Sequence, residues 1–198
     1  MPRRALLLAM ALSATAVLAV PGAAAAQVLT DSEGPVELGG TILVKSTNAL
    51  ITTPIGNIQC ATIAFDLEVI ANGEVAEAEG PGEAGPCTFL DAEKTKVTVT
   101  SMTVGNFTLD GEGGGSVSLK YTSDYAIPPF FPECTFFTDP SSGKEVLASY
   151  ESGVESDTVE IAGLLAGEGT TCPVPEWGSA IEGEFTLETE NGDPIRLK

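Results

Sequence analysis

From residue 63 the chain alternates in character at every second position. Ile63, Phe65, Leu67 and Val69 are apolar, and Asp66 and Glu68 between them are charged. Asn72-Gly73 follows at once. That pair suits a type I′ hairpin turn, which needs positive φ at both central residues, so residues 74–79 read as the returning strand. The same period of two recurs down the chain. Val97 and Val99 alternate with Lys96, Thr98 and Thr100, and residues 111–115 separate them from Val117, Leu119 and Tyr121. Val159 and Ile161 alternate with Thr158 and Glu160. Ile181, Gly183, Phe185 and Leu187 alternate with Glu182, Glu184, Thr186 and Glu188. Alternation of this kind marks half-buried strands with one wet face. Nowhere past the N-terminus do apolar residues recur at i, i+3, i+4, i+7 for three turns. Residues 80–86 (GPGEAGP) read as an exposed loop leading into Cys87. Many short strands with Gly- and Pro-rich turns predict an all-β fold, an antiparallel β-sandwich or barrel.

The first 26 residues follow another pattern. Arg3 and Arg4 precede an uncharged apolar run over residues 5–20, then Pro21-Gly22 and four alanines. A basic start, a short apolar stretch and small residues before a cut describe a secretory signal peptide. The run is shorter than the ~20 residues that span a bilayer. Cleavage is expected between Ala26 and Gln27, although a cut a few residues earlier fits the peptidase pocket equally well. The first cysteine is Cys60, so no lipid-attachment cysteine stands at the new N-terminus, and no later apolar run is long enough to span. The expected organisation is a signal helix over 1–26, a flexible mature N-terminus over 27–35 and one β-rich domain over 36–198. The product is expected outside the cell or at its surface, without stable membrane insertion.

Composition narrows the function. Cleavage removes two of the nine basic residues and none of the 28 acidic ones, leaving a net charge of −21. That opposes nucleic acid, whose binding rests on basic patches, and anionic lipid surfaces. It suits solubility or cationic partners. Histidine is absent, which removes Ser-His-Asp and Cys-His nucleophilic machinery and the commonest ligand of catalytic transition metals. The four cysteines, Cys60, Cys87, Cys134 and Cys172, form no C-x-x-C pair and no zinc spacing. An even count in an oxidising compartment predicts two disulfides. Of three connectivities, Cys60–Cys87 with Cys134–Cys172 leaves two compact halves and is the expected one. Loop entropy makes each such bridge worth up to roughly 3.5–4 kcal/mol.

Three segments carry candidate chemistry. Residues 121–137 hold six of the twelve aromatics, together with Pro128, Pro129 and Pro132. Tyr125, Phe130 and Phe131 on a proline-stiffened loop could form a contact surface for a glycan, a cell-surface component or a protein; packing around Cys134 is the plainer role. Paired carboxylates could hydrolyse glycosides without histidine, but most acids alternate outward, as solvated strand faces do. Asp110 and the glycines after it are acidic and turn-forming, yet they lack the spacing of a Ca²⁺ loop, so Ca²⁺ has no motif behind it and a hairpin turn is expected there. Asn106-Phe107-Thr108 matches a glycosylation sequon. No cofactor is implied.

Ser46-Thr47-Asn48-Ala49, then Thr53-Pro54-Ile55-Gly56-Asn57-Ile58-Gln59-Cys60, resembles the opening of a group of small secreted actinobacterial proteins. Asn72-Gly73, Cys134-Thr135-Phe136 and Cys172-Pro173 with Trp177 resemble their later pattern. The chain departs from it in two ways: Glu182 or Phe185 stands where an aromatic is expected after the tryptophan, and an extra cysteine pair is missing. The resemblance implies secretion and a β fold and adds no chemistry. The expected function is a secreted, non-enzymatic structural or binding module. The alternatives are a carboxylate-dependent, glycosidase-like hydrolase and a Ca²⁺-dependent adhesive module.

Overall fold

The computed structural model describes residues 28–54, 56–90, 92–125, 133–151, 156–168 and 178–197. The strands are β1 (Leu29–Thr30), β2 (Thr41–Ser46), β3 (Leu50–Thr53), β4 (Gly56–Cys60), β5 (Ile63–Asn72), β6 (Val75–Ala84), β7 (Cys87–Phe89), β8 (Ala92–Asp110), β9 (Gly114–Tyr125), β10 (Glu133–Phe137), β11 (Val146–Ser149), β12 (Thr158–Glu168), β13 (Ser179–Thr189) and β14 (Arg196–Leu197). All their ladders are antiparallel, and a single 3-10 turn, Pro140–Ser142, is the only helical element among the described residues.

Register groups these strands into eight staves. β2 and β3 run in one line against β5 and β4, since Ser46↔Ile63 and Leu50↔Gln59 belong to one register. β6 and β7 likewise form one stave against β5 and β4. β8 pairs with them on one side and with β9 on the other. β10 and β11 share the place between β9 and β12. β12 pairs with β13, and β13 returns to β2 and β3. Each stave therefore pairs with its neighbours in sequence, and the last pairs with the first. Of the two expected architectures the chain takes the barrel, an up-and-down one, and among the described residues closure leaves no edge strand in the wall.

The alternating pattern explains why it closes this way. Ile42, Val44, Ile63, Phe65, Leu67, Val69, Leu109, Leu119, Ile161, Phe185 and Leu187 all point inward and are at most 2 % exposed. Phe65 and Phe185 stack across the interior at 6.0 Å between ring centres, and Tyr121 and Phe136 at 5.0 Å. Burying each such side chain contributes about 1.5–3 kcal/mol. The outward positions of the same strands hold Asp66, Glu68, Glu79, Glu160, Glu182 and Glu184. An apolar interior with a charged exterior is the reverse of a lipid-facing barrel, so this wall faces water. Among the described residues no helix is long and apolar enough to cross a membrane.

The lower end, where β2, β6, β9 and β12 begin, is plugged. Val28, Leu29, Val36, Ile195 and Leu197 are buried there, with β1 paired to β14. Residues 28–35, within the segment expected as a flexible lead, are tied into this end. Asn72 holds them there. The Asn72 amide accepts from Leu29 N–H at 3.0 Å and donates to the carbonyls of Leu29 and Val36 at 2.8 and 2.9 Å.

Two turn expectations change as well. Asn72-Gly73 does mark the β5–β6 hairpin, but Gly73 is not among the positive-φ glycines, so the turn is not type I′. The asparagine is committed to the N-terminal segment instead. Residues 80–84, expected in a loop, continue strand β6. A Cβ at Gly80 would overlap the Asp66 carbonyl, and one at Gly82 the Phe65 ring. The glycines are there to let the staves approach. The β5–β6 ladder skips from Phe65↔Gly82 to Glu68↔Glu79, and this break accommodates Pro81 without its N–H.

Candidate functional site

The upper end is where β3 meets β4, β7 meets β8, β9 meets β10 and β12 meets β13. All four upper connections therefore leave the same rim: residues 54–55, 90–91, 126–132 and 169–177. The two long ones spring from adjoining staves, since Thr135 of β10 lies opposite Glu168 of β12. Tyr125 is the last residue of β9, opposite Val97. Phe130 and Phe131 fall in the 126–132 connection and lie outside the described residues, as do Trp177, Ala26 and Gln27. Leu90 is an exposed apolar residue on the same rim.

The disulfides sit just below this rim. Cys60 of β4 and Cys87 of β7 lie directly opposite, Cα–Cα 4.0 Å, and are joined as expected. Both are buried. Cys134 is also disulfide-bonded, and no described cysteine is free. Cys172, the one cysteine left for it, belongs to the 169–177 connection, outside the described residues. A buried bridge is compatible with an oxidising, extracellular setting.

Inside the barrel at this end hydroxyls join an apolar lining that still includes Ile58, Phe89, Val97 and Leu165. Tyr121 Oη and Ser179 Oγ are 2.8 Å apart, and Ser179 Oγ donates to the Thr52 carbonyl at 3.2 Å. Thr53 Oγ1 donates to the Gly56 carbonyl. Ser123 is 1 % exposed, and its hydroxyl lacks a partner among the described residues. Among the described residues the buried polar side chains are Ser46, Thr53, Ser123 and Ser179, all hydroxyls. Such groups can orient a neutral molecule by hydrogen bonds but supply neither an acid of raised pKa nor a charged nucleophile.

The acidic turn after Asp110 is a hairpin, as its glycines suggested. Asp110 Oδ1 accepts from Glu112 N–H and Gly114 N–H, both at 2.9 Å, and Gly113 takes φ 95°. Tyr150 Oη donates to the Asp110 carbonyl. Burial, then the Asp110 carboxylate, pushes the Tyr150 phenol above its usual range. The carboxylate is occupied in holding the turn, and no cluster of three or more metal-ligating side chains occurs among the described residues. The sequon residue Asn106 lies inside β8 at a bulge, with its Oδ1 buried. Asn72 is the residue that sequence reading missed. Its role comes from a contact 43 positions away, which no local pattern signals.

The chain matches no family model, no curated protein and no solved structure.

Proposed function

We propose that this chain is a secreted, non-catalytic binding or structural module, of the small actinobacterial kind its sequence resembles. It works through its outer surface, with the upper rim as its main contact face. The observation that carries this reading is the partition of side chains. The described inward positions are apolar or hydroxyl, and the described carboxylates with a burial class are all partly or fully solvated. Glycoside hydrolysis needs two carboxyl groups facing one scissile bond, one of them with a raised pKa. Asp139, on the outer surface, is held below the usual carboxylate range by the Ser141 and then the Ser142 hydroxyl, the opposite of what a catalytic acid needs. A filled barrel of this kind offers partners its wall and its rim. The connection that leaves the rim after β9 contains Pro128, Pro129, Phe130 and Phe131 in sequence, and prolines beside aromatics would lower the entropic cost of presenting rings to a partner.

Adsorption to isolated cell-envelope material tests this. Phe130→Ala and Phe131→Ala should each reduce adsorption about tenfold or more and leave the melting temperature nearly untouched. If both variants instead lose roughly 3–5 kcal/mol of stability, the rings are core and the contact face is refuted. Release of reducing sugar from polysaccharides by the wild-type protein would establish the hydrolase instead.

A further inference from the structure

Between β10 and β11 the chain steps out of the wall. Thr138 N–H still donates to the Leu119 carbonyl at 2.9 Å, and residues 139–145 then form a stiff knuckle. Asp139 and Lys144 exchange backbone hydrogen bonds of 2.7 and 3.0 Å. Gly143, at φ 72°, donates its N–H to the Pro140 carbonyl, and Ser141 Oγ donates to the Asp139 carboxylate at 2.6 Å. The knuckle stands beside β9 and leaves a recess of about 280 Å3 on the outer wall. Its lining includes Ser116, Ser118, Thr138, Pro140, Glu145 and Leu147.

The chemistry of this lining is specific. Three hydroxyls and one carboxylate supply donors and acceptors, and no basic side chain lines the recess. Pro140 and Leu147 supply apolar surface. Leu147 is 56 % exposed on an outward strand position, between Ser116 and Ala162 in register, and takes no part in the core. An anion would meet Glu145 and the negative field of the whole chain. A lone carboxylate falls far short of the six to eight oxygens that Ca²⁺ takes. A neutral sugar ring matches this lining: an apolar C–H face for Leu147 and Pro140, and a rim of hydroxyls for Glu145, Ser118 and Thr138. The volume lies just under the ~300–1,000 Å3 of small-molecule sites, which suits a single ring. We propose that this recess binds one neutral hexose unit of a glycan. The site is separate from the upper rim and stands or falls independently of it.

The knuckle's internal hydrogen bonds pre-form the site, so little ordering opposes binding. Contact with one small ring gives a Kd on the order of 1 mM. The test is an amide-shift titration of the mature protein with the methyl glycosides of glucose, galactose and mannose, and with glucuronate as the anionic contrast. At least one glycoside should give saturable shifts centred on Ser116, Ser118, Thr138 and Leu147, with glucuronate about tenfold weaker or absent. Leu147→Ala and Glu145→Gln, both at exposed positions, should each weaken binding about tenfold with melting unchanged, and Phe130→Ala should leave it intact. Absence of saturable shifts with all three glycosides overturns the proposal. So does shift mapping to another surface, undiminished binding in both recess variants, or glucuronate binding as tightly.

Discussion

Asn72→Ala is the substitution whose cost the structure defines most sharply. The Asn72 side chain makes three hydrogen bonds to a segment 36 to 43 residues away. Two of its partners are backbone groups of Leu29, which is 1 % exposed, and the third is the carbonyl of Val36, 8 % exposed. At a net of about 1 kcal/mol per bond the loss is about 3 kcal/mol. For a chain of this size that corresponds to a fall of roughly 6–12 °C in melting temperature. If β1 detaches before the barrel melts, the same energy appears locally, as roughly 100-fold faster exchange of the Leu29 amide. Thermal denaturation and hydrogen exchange together capture either outcome. Asn72→Asp should cost at least as much near neutral pH. It keeps the acceptor for Leu29 N–H but sets a carboxylate against two carbonyls. That opposition raises its folded-state pKa above the unfolded value of about 3.9. The penalty is therefore full above the folded pKa and fades as pH falls toward the unfolded one. A melting change under about 2 °C in Asn72→Ala, with unchanged exchange at Leu29, would refute the clamp.

Non-reducing peptide mapping should join Cys60 to Cys87 and Cys134 to Cys172 with no free thiol, and removing the Cys60–Cys87 pair should cost about 2–5 kcal/mol; a crossed pairing contradicts the account. N-terminal sequencing of exported protein should begin within residues 24–28, close to Val28, the first of the described residues and a buried one; a membrane-retained product beginning at Met1 argues against cleavage. Gly163→Ala should destabilise by about 1–3 kcal/mol or more, because the added Cβ meets the Glu145 carbonyl and Val146 Cα where β12 pairs with β11. Gly105→Ala, whose Cβ would lie 3.5 Å from Ser118 Oγ, should be close to neutral by comparison in denaturant melts.

The strands were legible because each is half wet. Ile63, Phe65, Leu67 and Val69 declare their inward face in four letters, and Ile181, Phe185 and Leu187 do so again. Their closure into a barrel was not legible. It depends on β13 pairing with β2 across more than 140 residues, and alternation within a strand carries no information about its neighbour. Glycine misled in one place: residues 80–84 look like loop because Gly and Pro usually break structure. In this barrel Gly80 and Gly82 serve close backbone approach inside a strand. Asn72 misled in another, since its turn chemistry was visible and its long-range partners were not. The hairpin at Asp110 was legible because its whole mechanism is local, a carboxylate capping two N–H groups within four residues. The recess beside Leu147 was hidden for the opposite reason. It is assembled from β9, the 139–145 knuckle and β11, three segments that only the register brings together.

The seam between β13 and β2 with β3 decides whether the wall is closed, and with it whether partners meet an outer surface or a cleft between open sheets. Cross-strand nuclear Overhauser effects, read with amide exchange on the mature protein, address that seam directly. The account predicts contacts between Thr186 and Lys45, Glu188 and Leu43, and Ala180 and Thr52, with slow exchange along both strands. Rapid exchange along β13 and no contacts to β2 or β3 would mean an open sheet and would contradict the barrel.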